Sequence, residues 1–200
     1  MIVPHPHCGP SFDGMRIGLL GGSFNPAHAG HRDMSLYALK RLGLDQVWWL
    51  VSPQNPLKSA KDTAPLANRL KRARALAKHP RLVISNIETQ LGTRYSVDIL
   101  RELHLRFRGT RFVWLMGADN LKQIPAWRRW QDIFYQLPVA VFRRSTYASG
   151  RIAGKAAQRF ARNWKSACAS KRLVTLAPPA WLVLDNRYNF LSATAIRKGD

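Results

Sequence analysis

Short apolar runs alternate along this chain with stretches in which apolar positions recur every three or four residues. Residues 16–20 (RIGLL) are β-compatible and closed by Gly21-Gly22, as expected of a buried strand. Met34, Tyr37, Ala38, Arg41 and Leu42 follow helical spacing, with only Arg41 breaking the apolar stripe, and Gly43 stands where a helix C-cap belongs. Residues 46–52 (QVWWLVS) predict a second strand. The same reading predicts helices over 65–78, 96–107, 127–135 and 151–166, and strands over 82–85, 111–116, 139–142 and 181–184. A last helix is predicted to start within 193–198.

Strand–helix alternation with nearly continuous apolar strands implies an α/β fold, a parallel sheet covered on both faces. Right-handed crossovers make a doubly wound sheet the expected topology. Ligands in such sheets sit beyond the C-terminal strand ends, where the strand order switches. That rule gathers residues 21–31, 52–58, 117–120 and 143–144 on one rim. No repeat or linker divides the chain, so residues 15–200 form one domain. Residues 1–14, with three prolines and no apolar run, look like a disordered tail, and Met15 could be the natural start.

Composition narrows this picture only a little. The chain has 200 residues, 46% of them hydrophobic, enough for a sizeable core. No window approaches the roughly 18 consecutive apolar residues of a membrane span, so no membrane partner is expected. Cys8 and Cys168 are too few for a disulfide framework and have no metal-ligand spacing, which points to a reducing cytoplasm. The formal charge is +21, and no acidic residue falls between Ile133 and Leu184. Such an excess suits a solvated basic face, a phosphate-rich ligand or a nucleic acid, and charge alone does not choose.

Residues 21–31 (GGSFNPAHAGH) carry more information. Two glycines after a strand let the backbone turn and approach a ligand, and the following helix N-terminus offers free amides to phosphate. His28 and His31, three apart, can face one ligand across the helix start. The run lacks the G-x-G-x-x-G of a dinucleotide fold and the Gly-Lys-Ser/Thr of a Walker loop, and it has no third ligand for zinc.

This segment resembles the G-G-x-F-[DN]-P-x-H-x-G-H signature of the nucleotidyltransferase superfamily with the HxGH motif. Residues 191–197 (LSATAIR) resemble its second signature, I-S-S-T-x-I-R. Within the superfamily, residues 112–130 look like the G-x-D-x-L…W block of bacterial nicotinate mononucleotide adenylyltransferases. Residues 52–58 (SPQNPLK) resemble their P-x-x-x-P-x-K loop, and 95–100 (YSVDIL) their Y-T-x-D-T-L helix start. The resemblance covers about residues 16–197 and implies a Rossmann-like nucleotidyltransferase fold.

The resemblance also implies a reaction: ATP and nicotinate mononucleotide give nicotinate adenine dinucleotide and pyrophosphate, a step of NAD biosynthesis. The mononucleotide phosphate is already a nucleophile, so positioning and electrostatics carry the catalysis. Implied catalytic residues are His28, His31 and Arg197, with the histidines as donors to the phosphates and not as bases. Gly21, Gly22, Ser23, Phe24, Lys58, Gly117, Asp119, Ser192 and Thr194 are implied to bind ATP. Asp119 alternatively suits a helix cap. Ser96, Trp127, Arg143 and Arg144 are assigned to the mononucleotide, with Trp127 as the stacking platform. Mg²⁺ is implied as an ion bound with ATP, with no ligands from protein side chains. Nicotinamide mononucleotide and phosphopantetheine are the rival acceptors. A basic nucleic-acid-binding protein is the rival from another class, weakened by the absence of an RRM, KH or zinc-finger pattern, so no nucleic-acid partner is expected. A homo-oligomer is compatible with the sequence.

Overall fold

The computed structural model describes residues 12–53, 63–93, 95–144 and 152–186. Its strands are β1 (Arg16–Gly22), β2 (Gln46–Val51), β3 (Leu82–Ser85), β4 (Arg111–Gly117), β5 (Val139–Arg144), β6 (Trp164–Lys165) and β7 (Trp181–Asn186). They form one sheet in the order β3-β2-β1-β4-β5-β7-β6, and every pair is parallel. The helices are α1 (Ala29–Leu42), α2 (Leu66–Leu76), α3 (Ile87–Gln90), α4 (Ser96–Arg106), α5 (Ala118–Gln123), α6 (Trp130–Gln136) and α7 (Lys155–Arg159). The chain winds outward from β1 to β3, then returns to place β4 on the other side of β1. The switch in strand order therefore falls between β1 and β4, the position that opens a crevice at the C-terminal strand ends.

Strand periodicity divides the core into two layers. Trp48 and Trp49 are adjacent in β2, both fully buried, and face opposite sides of the sheet. Trp48 belongs to the layer that includes residues of α4, α6 and α7; Trp49 belongs to the layer that includes α1, α2 and the 3-10 helix over Ala167–Thr175. Burial on both faces explains why β2 and β4 read as continuous apolar runs and not as alternating ones. Among the described residues no helix is long and apolar enough to cross a membrane.

Most predicted elements are present, with informative differences. Gly43 ends α1 at φ 64°, a left-handed position that would cost a side-chain-bearing residue about 1–2 kcal/mol. The glycine pair is not a turn after β1 but its last two residues, and β1 runs to Gly22. The helix expected over 127–135 begins later, at Trp130, after a 3-10 turn at Ile124–Ala126. The helix expected over 151–166 is limited to α7, followed by a 3-10 turn and the edge strand β6. The Phe160 carbonyl accepts the Trp181 indole N–H at 2.8 Å and Trp164 pairs with Trp181, so sheet contacts end the helix where its stripe would have continued. Phe12, assigned from the sequence to the tail, belongs to the core. Its ring meets Trp48 and Phe107 edge-on, and its carbonyl accepts the Thr110 hydroxyl. The helix expected within 193–198 lies outside the described residues.

Candidate active site

All parallel strands end on the same side, so the loops after β1, β2, β4 and β5 share one rim. The centre of that rim is the turn between β1 and α1. His28 is the N-cap of α1, with extended backbone, and its ring is buried; His31, one turn on, is half-buried. Their ring centroids lie 3.8 Å apart. The His28 backbone N–H donates to His31 Nδ1 at 3.2 Å, and the His31 N–H donates to the His28 carbonyl at 2.9 Å. Because Nδ1 of His31 accepts, the ring N–H lies on Nε2.

The support beneath the histidines is aromatic and polar together. Phe24 stacks on Trp49 and lies 4.8 Å from the His31 ring. The Trp49 indole donates to the Ser35 hydroxyl at 2.8 Å, and that hydroxyl donates to the His31 carbonyl at 2.7 Å. Phe24 is 3% exposed, so its side chain orients the imidazole and only its backbone is left to meet a ligand. Its backbone stands at φ 47°, an uncommon state for a non-glycine residue and one concentrated at functional turns. The buried Ser23 hydroxyl has no hydrogen-bond partner among the described residues, a donor available to a bound group.

The two glycines that end β1 differ in their surroundings. A Cβ on Gly21 would stand 2.5 Å from Trp114 Cη2, whereas one on Gly22 would only touch the Phe24 ring at 3.5 Å. An indole lies against Gly21, whereas Gly22 has room for a Cβ beside the Phe24 ring.

The other assigned residues that are described stand at the ends of neighbouring strands and helices. Gly117 ends β4 and is the N-cap of α5. Asp119 lies in the first turn of that helix and is exposed, so it is not the cap. Ser96 opens α4 directly after Tyr95, and Arg128 lies over the Tyr95 ring at 4.6 Å. That contact joins the start of α4 to the segment carrying Trp127, which is half-buried and meets Trp114 edge-on at 6.5 Å. Arg143 and Arg144 end β5 opposite Asp185 and Asn186 of β7. The Arg143 Nε donates to Asp185 Oδ1 at 2.7 Å, which raises the guanidinium above its usual value. Lys58, Ser192, Thr194 and Arg197 lie outside the described residues.

Two further residues, absent from the sequence reading, sit under the rim. Arg69 of α2 is 1% exposed and Glu88 of α3 is 5% exposed. Burial lowers the Arg69 guanidinium from its usual value, and the charge of Glu88 opposes this. Burial pushes the Glu88 carboxyl up to about 7, against a hydrogen bond from Ser52 and the charge of Arg69. The available signal was Arg69's place in the stripe Leu66, Arg69, Leu70, Ala73, where a helix of this spacing buries its residues.

The cytidylyltransferase-like family profile matches residues 19–199. A protein of Parvibaculum lavamentivorans (strain DS-1) named "probable nicotinate-nucleotide adenylyltransferase" is 48% identical over 92% of each chain. One of Cereibacter sphaeroides (strain ATCC 17025) with the same name is 50% identical over 92% of this chain and 97% of its own. Among solved structures, the Plasmodium falciparum nicotinic acid mononucleotide adenylyltransferase complexed with NaAD shares the fold. Its TM-score is 0.69 at 13% identity, over 92% of this chain and 83% of its own. With its sheet, its histidine turn and these relatives, the chain belongs to the cytidylyltransferase-like nucleotidyltransferases, and within them to the nicotinate-nucleotide adenylyltransferase family.

Proposed function

We propose that this chain carries out its family's reaction at the rim around His28 and His31, joining ATP to nicotinate mononucleotide. A phosphate oxygen of the mononucleotide attacks the α-phosphorus of ATP, the bond from that phosphorus to the bridging oxygen breaks, and pyrophosphate leaves. The observation that carries this reading is the histidine pair at the N-terminus of α1, rings 3.8 Å apart, beside backbone amides suited to a polyanion. No protein nucleophile or base is required. What the chain must supply is donors aimed at charge that grows on the phosphates, and the Nε2–H of His31 is such a donor. The unpartnered Ser23 hydroxyl supports a further contact to ATP.

Trp127 and Ser96, brought near one another through Tyr95 and Arg128, would receive the pyridine ring and its carboxylate. One of the two arginines that end β5, Arg143, oriented by Asp185, or Arg144, would meet the mononucleotide phosphate. Gly117 and Asp119 would meet the adenosine end; Lys58, Ser192, Thr194 and Arg197 would complete the triphosphate site. Among the described residues no three His, Cys, Asp or Glu side chains converge. A donor set of imidazole, amide and guanidinium groups suits a Mg²⁺ that arrives on the triphosphate oxygens. When bound, that ion would neutralise charge on the leaving pyrophosphate.

The test is pyrophosphate release from ATP with nicotinate mononucleotide, nicotinamide mononucleotide and phosphopantetheine in parallel, with Mg²⁺. Turnover is expected to be greatest with nicotinate mononucleotide. Release with phosphopantetheine alone would reassign the acceptor, and release with none would overturn the reading.

A further inference from the structure

One buried guanidinium ties together three segments that meet beneath the rim. Arg69 Nη1 donates to the carbonyls of Ser23 and Ser52, both at 2.7 Å. Its Nη2 donates to the Pro53 carbonyl at 2.7 Å, and its Nε to the Ala64 carbonyl at 2.8 Å. Four main-chain acceptors are therefore held by one side chain: in the turn after β1, at the end of β2 and at the start of α2. The Asn25 side chain joins the same segments, accepting the Ala64 N–H at 3.4 Å. Glu88 completes the cluster, close enough to act on Arg69 electrostatically, with Ser52 donating to its carboxyl.

A buried charge is costly unless every donor finds a partner, and an apolar residue in this stripe would pack with less penalty. The geometry of a planar fork is what an apolar residue cannot supply. Arg presents donors along fixed directions, so carbonyls of separate loops are set at fixed distances from one another. Ser23 is one residue before Phe24, the ring on which His31 rests. We propose that Arg69 is a positioning residue for adenylyl transfer: it fixes the turn that sets His31, and acts through the turn without touching substrate. This rests on the reading of the histidine turn as the ATP site.

The conservative substitution separates positioning from simple packing. Arg69→Lys keeps the charge and the apolar stem, yet a single ammonium cannot span carbonyls of three segments. Wild type, Arg69→Lys and Arg69→Met are assayed at 15 °C for kcat and for the KM of each substrate, after circular dichroism has established that the variants are folded. Amide hydrogen exchange is followed over residues 19–31. The expected result for Arg69→Lys is a loss of kcat of about tenfold or more. Its ATP KM should move by less than threefold, with faster exchange confined to the β1–α1 turn. A folded variant with wild-type kcat and unchanged exchange at that turn would overturn the proposal. So would an Arg69→Lys protein that is unfolded at 15 °C, since Arg69 would then be required for folding in general. An Arg69→Met variant with normal kcat would overturn it equally. Failure of the wild type to turn over nicotinate mononucleotide would instead remove the underlying reading, and it is scored separately in the same assay.

Discussion

Phe24 lies flat against Trp49, ring centroids 4.9 Å apart and planes 10° from parallel, while its own backbone is held at φ 47°. The stack and the burial of the ring offset a backbone state that most residues avoid. Two effects of opposite sign therefore meet at one position. Phe24→Ala should lower stability by about 3–5 kcal/mol through loss of the buried ring. Phe24→Gly loses the same ring but relieves the left-handed backbone, and should be about 1 kcal/mol more stable than the alanine variant. That order reverses the usual one for Ala and Gly. Urea unfolding of the two variants checks it, and an alanine variant equal to or better than glycine would contradict it.

The tautomer of His31 gives a second expectation. Asn at position 31 can keep an acceptor near Nδ1 for the His28 N–H, whereas Gln can carry an amide N–H out toward the site of Nε2. If the distal donor is what matters, His31→Gln should retain more kcat than His31→Asn, and Asn should be the more stable to heat. His28→Ala and His31→Ala should each lower kcat by roughly 10²-fold, the scale of a lost transition-state donor. Steady-state kinetics of the four variants decide the matter, and Asn exceeding Gln in kcat would count against the donor role.

Trp127 is half-buried and meets Trp114 edge-on, which leaves part of its surface exposed. A lost aromatic stack is worth about 0.5–1.5 kcal/mol, so Trp127→Ala should raise the KM for the mononucleotide up to roughly tenfold. The KM for ATP should stay within about twofold. Equal effects on both substrates would identify Trp127 as a wall of the fold and not a platform for the pyridine.

Glu88 predicts a dependence of stability on pH. Its carboxyl is raised from 4.5 to about 7, chiefly by burial. Between those values the folded chain holds the proton while the unfolded chain has released it. Stability must then fall as pH rises through this window and level off above about 7, a loss on the order of 3 kcal/mol. Glu88→Gln cannot titrate, so the wild-type-minus-variant difference in urea stability should decline from pH 4.5 to 7 and be flat beyond. A difference that is flat across the whole range would show that the carboxyl titrates normally.

The strands were legible because both sheet faces are covered, so β2 and β4 announce themselves as unbroken apolar runs. The histidine turn was legible because a strand end, a Gly pair and two histidines at helical spacing occur together in a few residues. The end of the helix at Phe160 was not, since it goes with contacts to Trp181, 21 residues away: an indole bond to the Phe160 carbonyl and the pairing of Trp164 in β6. Nor was the Arg69–Glu88 pair, because a charged residue on a helix reads as solvated unless its neighbours in space are known. Its place in an apolar stripe was the local hint. Phe12 escaped for the opposite reason: one aromatic residue in a proline-rich stretch has no periodicity to read.

The indole of Trp114 against Gly21 carries a consequence for how this chain can change. Alanine at 21 is barred while tryptophan stands at 114, and a small residue at 114 alone would leave a void beneath the turn. Each single step leads downhill, although the pair of steps together could restore the packing. The two positions, 93 residues apart in sequence, are therefore free to drift only in concert. A library that varies the histidine turn without varying β4 will find position 21 closed.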